Sequence, residues 1–161
     1  MSTETSTSTT TQVYRIYIKA SADAIWDALT KPEWTERYGY GGRVEYDLRP
    51  GGTYRAIADA EMQKAGMPEV VVDGEVIEAE PPRKLVQTWR AGWDQEPPTR
   101  LTYEIAEAED GVTCLTVTHE LDGAPNTAAM VAGSVEGAGG GWADVLSDLK
   151  TLLETGKPLH G

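Results

Sequence analysis

Two histidines and one cysteine are all the chain holds of the side chains best suited to proton transfer or nucleophilic attack near neutral pH. His119 is the sharpest candidate among them. In Cys114-Leu115-Thr116-Val117-Thr118-His119 the apolar residues alternate with polar ones, the period of a half-buried strand, so His119 shares the inward face of Leu115 and Val117. An inward imidazole suits general acid or base work. It suits equally a core histidine held by a neighbour's hydrogen bond, and no motif brings an acid or a nucleophile to it. Catalysis at His119 is therefore the lesser expectation. Cys114 alternates away from His119 and no Gly-x-Ser-x-Gly elbow occurs, which argues against covalent catalysis.

Cys114, His119 and His160 form no cluster of metal-ligand spacing, so no metal is expected, and His160 falls in a polar tail. The run Gly137-Ala138-Gly139-Gly140-Gly141-Trp142 lacks the Lys-Ser/Thr of a phosphate loop and does not follow a strand directly. It reads as a hinge or a gate, and no cofactor is expected. Glu75, Glu78 and Glu80, with Glu104, Glu107, Glu109 and Asp110, read as solvated outer faces that discourage edge pairing.

The aromatic set offers a different chemistry. Five Trp and seven Tyr occur without a single Phe, so every aromatic brings an N–H or O–H that seeks a partner when buried. Strand alternation turns Val44, Tyr46 and Leu48 inward, then Tyr54 and Ala56, then Leu85, Gln87 and Trp89, then Leu101, Tyr103 and Ile105, then Leu115, Val117 and His119. These faces form either an ordinary packed core or the lining of a ligand cavity. On the second reading the candidate ligand-binding residues are Tyr46, Tyr54, Gln87, Trp89, Tyr103, Val117, His119, Trp142 and Leu146.

Positioning those side chains requires a sheet and a helix. Val13 to Lys19 has strand period. Ser21 is a suitable N-cap for a helix over Ala22 to Leu29, and Thr30-Lys31-Pro32-Glu33 matches a capping box opening a second short helix from Trp34 to about Tyr38. Six strands follow, over Arg43 to Leu48, Thr53 to Asp59, Val70 to Ala79, Lys84 to Ala91, Thr99 to Ala108 and Val112 to Leu121. Their Pro/Gly-rich and Asp-Gly connections are short, which predicts an antiparallel meander. Trp142, Val145, Leu146, Leu149, Leu152 and Leu153 mark one face of a long amphipathic helix, with Asp144, Asp148 and Lys150 opposite. Residues Ala124 to Val135 could begin the same helix, but Gly133, Gly137 and the run Gly139-Gly140-Gly141 predict a break or a mobile segment. The fold class is α+β: about seven antiparallel strands curved around a C-terminal helix, with two short helices after the first strand.

Residues 1–11 are almost all Ser and Thr and read as a disordered tail, residues 12–156 as one domain, and residues 157–161 as a C-terminal tail. The formal charge of −12 repels phosphate backbones and anionic membrane surfaces, so nucleic acid is not expected as a partner. No apolar run approaches the ~20 residues of a membrane span, and we expect a soluble, cytoplasmic chain.

Several segments occur in an order that resembles one known group. They are Ile18-Lys19-Ala20-Ser21, Ile25-Trp26-Asp27-Ala28-Leu29-Thr30, Asp47-Leu48-Arg49-Pro50-Gly51-Gly52, Gly74-Glu75-Val76, Pro81-Pro82-Arg83-Lys84-Leu85 with Thr88-Trp89, Thr118-His119-Glu120, and Gly141-Trp142. From about Gln12 to Thr155 the chain resembles the START/Bet v 1-like helix-grip superfamily (SRPBCC), within it the bacterial relatives of the C-terminal domain of the activator of the heat-shock-protein-90 ATPase. The resemblance implies a cavity between sheet and C-terminal helix, with Trp34, Tyr38, Met67, Trp93 and Met130 about its mouth. It implies a function among several: binding an apolar or aromatic, lipid- or polyketide-like molecule for transport or protective sequestration (self-resistance) in natural-product metabolism; an aromatase or cyclase using His119; or a co-chaperone-like domain with a protein partner. Fold alone does not choose among these.

Overall fold

The computed structural model describes residues 10–92, 95–136 and 139–159. Strand β1 spans Thr11–Ile18, its burial alternating so that Tyr14, Ile16 and Ile18 turn inward while Val13 and Tyr17 stay exposed. Thr11 pairs with Glu120, and the Thr10 carbonyl accepts the Leu121 N–H at 2.7 Å. The ordered domain therefore starts earlier than position 12, and residues 1–9 of the expected tail lie outside the described residues.

Helix α1 (Ala22–Thr30) opens with the Ser21 hydroxyl accepting the Ala24 N–H at 3.1 Å. The capping box expected at Thr30 does not form. Pro32 disfavours helical backbone at the residue before it, so Lys31 is the one that turns extended, and it caps α2 (Pro32–Thr35) without a side-chain bond. Thr30 instead ends α1, its hydroxyl donating to the Trp26 carbonyl at 2.8 Å.

Strands β2 (Arg43–Tyr46) and β3 (Thr53–Ile57) are shorter than their apolar patterns. Asp47 begins the turn, accepting the Arg49 Nε at 2.7 Å, so Leu48 sits in that turn and is exposed, not inward as expected. Asp59 ends the run after β3 by capping the Met62 N–H at 2.8 Å, opening a short helix α3 (Ala60–Lys64) in the connection to the next strand. Strands β4 (Val70–Glu80), β5 (Lys84–Ala91), β6 (Thr99–Glu107) and β7 (Thr113–Glu120) complete the meander. A register shift between Val76 and Glu78 leaves Val76 buried and Ile77 outward.

One seven-stranded antiparallel sheet results, in the order β1-β7-β6-β5-β4-β3-β2. Helices α4 (Pro125–Val131) and α5 (Gly141–Thr155) follow it, separated by the glycine-rich stretch. Leu146, Leu149 and Leu152 of α5 are buried, Leu146 and Leu149 in one core with Leu101, Leu115 and Val117 of the sheet. This is the helix-grip arrangement. No described helix is long and apolar enough to cross a membrane.

Candidate functional site

A cavity of about 180 Å³ lies between the β2–β6 part of the sheet and the helices. Inward alternation supplies Val44 and Tyr46 from β2, Tyr54 and Ala56 from β3, Trp89 from β5 and Tyr103 from β6, while β4 gives the consecutive pair Val71 and Val72 where its register with β3 shifts. Trp142 and Val145 of α5, Met130 and Val131 of α4, and the loop Tyr38 to Gly42 close the other side. No charged side chain lines it among the described residues. A second, polar groove on the outer sheet face holds Arg55 and Arg90, already paired with Glu45 and Asp73.

The polar groups of the wall are wired to one another. Trp142 donates its indole N–H to His119 Nδ1 at 3.1 Å, and His119 Nε2 lies 2.7 Å from the Thr99 hydroxyl. Thr99 in turn donates to the Trp89 carbonyl at 2.7 Å. An indole is a donor only and a carbonyl an acceptor only, so every proton in the chain is assigned: His119 carries its hydrogen on Nε2 and accepts at Nδ1. Burial pushes the imidazole down to about 4, leaving it neutral at pH 7. Both ring nitrogens are occupied in orienting Trp142 against the sheet.

Tyr46 donates to Gln87 Oε1 at 2.6 Å and lies against Tyr54 with ring centroids 4.7 Å apart and planes tilted by 34°. Tyr38 donates to the Ala28 carbonyl at 2.7 Å. Burial raises the hydroxyls of Tyr38, Tyr46, Tyr54 and Tyr103 above the usual phenol value, so all four are neutral donors at physiological pH.

Of the ligand-binding candidates, Tyr46, Tyr54, Trp89, Tyr103 and Trp142 reach the cavity surface. Gln87, Val117, His119 and Leu146 are buried behind it. Of the mouth candidates, Tyr38 and Met130 line the cavity, while Trp34 and Met67 pack beside the core. The Arg37 guanidinium lies 4.9 Å from the Trp34 ring centroid. Trp93 and His160 lie outside the described residues. No group of His, Cys, Asp or Glu able to hold a metal occurs among those described.

Asp148 overturns its expected place on the outer face of the C-terminal helix. It is 2% exposed, accepting the Gly39 N–H at 2.8 Å and the Leu159 N–H at 2.7 Å. One carboxylate thus ties α5 both to the loop that borders the cavity and to the C-terminal segment. Glu96 acts similarly on α4, accepting the backbone N–H groups of Asn126 and Thr127 at 2.8 Å. Burial alone would raise this carboxyl, but those bonds and the Thr127 hydroxyl hold it below the usual value. Helical period flagged neither acid, because their partners are more than 10 residues distant in sequence.

The model of the family described as Activator of Hsp90 ATPase homolog 1-like protein matches residues 19–154, most of the chain. The chain belongs to that family. No curated protein matches it. Among solved structures, this Activator of Hsp90 ATPase homolog 1-like chain is similar to CalU16 from Micromonospora echinospora, at 23% identity over 88% of this chain and 76% of that one, with a TM-score of 0.61. DynU16, a protein in the dynemicin biosynthetic locus, matches at 23% identity with a TM-score of 0.69 over 92% of this chain, which spans 49% of DynU16. PFC0360w, an HSP90 activator from Plasmodium falciparum, matches at 21% identity and a TM-score of 0.56, over 94% of this chain and 91% of that one. At these identities the likeness is one of fold.

Proposed function

We propose that this Activator of Hsp90 ATPase homolog 1-like chain binds an apolar or aromatic small molecule between its sheet and α5, for transport or protective sequestration in natural-product metabolism. The observation that carries this reading is the cavity wall, which carries no charged side chain among the described residues and is built mainly of aromatic and aliphatic side chains. Burial of ligand apolar surface at about 25 cal/mol per Å² supplies the affinity. The description of DynU16 as a protein of a biosynthetic locus fits the proposed setting. The aromatase or cyclase reading gives the proton-moving role to His119, whose two nitrogens are both engaged behind the wall.

The test is an amide and indole N–H NMR titration of the full chain with a long-chain fatty acid, a flavonoid and a polycyclic polyketide quinone. Saturable shifts at the Trp89 and Trp142 indoles are expected for at least one aromatic compound. A folded protein whose spectrum none of them moves would defeat the proposal and turn attention to a protein partner.

A further inference from the structure

Among the described residues, one side-chain oxygen of the cavity wall has no hydrogen-bond partner. Tyr103 is only 8% exposed and lines the cavity, yet its hydroxyl makes no hydrogen bond to any described residue. No fully enclosed side-chain nitrogen or oxygen lacks a partner among the described residues, so this oxygen is reached from the cavity rather than sealed in protein. Of the neighbouring polar groups, Tyr46 donates to Gln87, Tyr38 to the Ala28 carbonyl and Trp142 to His119, while the Tyr54 oxygen is engaged as acceptor of the Trp89 indole N–H, which leaves Tyr103 as the lining hydroxyl with no engagement at its oxygen. An open donor in an otherwise apolar wall is where a ligand is oriented, because a buried polar group left unpaired is costly.

Trp142 meets the Tyr103 ring edge-on, with centroids 6.1 Å apart and planes at 82°, so a flat aromatic body has a shelf beside that donor. Among the described residues the wall offers no cation to balance an anion, and a carboxylate would lose its hydration without compensation.

Resting on the function proposed above, we infer that Tyr103 is the specificity-determining donor of the cavity, selecting an uncharged aromatic compound that presents a carbonyl oxygen. Tyr103 donates to that oxygen, the ring lies against Trp142, and ionised analogues are rejected.

Three probes of one skeleton test this on the full chain by NMR titration: acetophenone with the carbonyl, ethylbenzene without it, and benzoate with a charge. In the wild type, acetophenone is expected to bind and benzoate at pH 7 to bind far more weakly. Tyr103→Phe, which removes no internal hydrogen bond, should weaken acetophenone about three- to tenfold while leaving ethylbenzene unchanged. An acetophenone-to-ethylbenzene ratio that does not change in Tyr103→Phe overturns the inference alone, and so does benzoate binding as tightly as acetophenone. Failure of all three probes to bind the folded protein overturns the ligand cavity as well.

Discussion

At the scale of single residues, His119 is the case where type and environment disagree most. A histidine invites a catalytic reading, but here the indole of Trp142 and the hydroxyl of Thr99 occupy both nitrogens, and burial lowers its proton affinity to a value of about 4. The unfolded chain takes up a proton near pH 6.5 while the folded one resists to about 4, so the unfolded state binds more protons throughout that window. The stability due to neutral His119 is therefore complete above about pH 6.5 and is lost as pH falls towards 4, amounting to about 3 kcal/mol in all. Urea unfolding at a series of pH values should show this slope, and it should be absent from His119→Leu. The ring protons of His119 should also show no titration midpoint between about pH 5.5 and 8. A midpoint near 6.5 would mean that the imidazole is wet and open to exchange, and would restore its claim to chemistry.

At the scale of elements, the join between α4 and α5 has a definite geometry at its described ends. Gly141 has φ of 69°, and a Cβ there would run into the Val131 carbonyl and the Gly133 amide. The first residue of α5 is thus pressed onto the last turn of α4, where Met130 and Val131 meet Trp142 and Val145 around the cavity. Gly141→Ala should cost about 2–4 kcal/mol in urea unfolding, combining left-handed strain with a backbone clash. Gly66→Ala, also at positive φ but with open space around it, should cost only about 1 kcal/mol. Equal costs would mean that the helices are not in close contact at this point. The break itself was legible, because a run of glycines opposes helix. So were the seven strands: period-two alternation with polar residues marks β1, β2, β3, β6 and β7, while β4 and β5, which carry adjacent apolar residues, are set off by the turn residues around them. Strand ends were less legible, since Asp47 and Asp59 stop β2 and β3 through side-chain bonds that periodicity does not register. For the site, alternation put Tyr46, Tyr54, Trp89 and Tyr103 on the inward face, but it could not separate residues that touch the cavity from those one layer behind it, such as Gln87 and His119. Asp148 was missed for a related reason. Its two N–H partners come from a loop 109 residues away in sequence and from the C-terminal segment.

At the scale of the whole molecule, the net charge of −12 sets the balance of surface forces. The ion pairs Arg55–Glu45, Arg49–Asp47 and Lys150–Glu154 join largely exposed side chains, and such pairs contribute between nothing and about 1 kcal/mol each. Lys150 and Glu154 have a second use, since they take the Tyr17 carbonyl and the Lys19 N–H and so engage the C-terminal end of β1, an edge strand. Against these few attractions stands the mutual repulsion of a large excess of carboxylates spread over one small domain. Added salt screens both, with a Debye length falling from roughly 20 Å to about 6 Å between about 0.02 and 0.3 M NaCl. Close pairs lose little over that range because their charges are nearer than either length, whereas repulsion between distant carboxylates is largely removed. The urea midpoint should therefore rise with NaCl at pH 7. A midpoint that falls instead would mean that the surface pairs, with the β1 edge contacts among them, outweigh the repulsion, and Lys150→Met should then abolish much of the salt dependence.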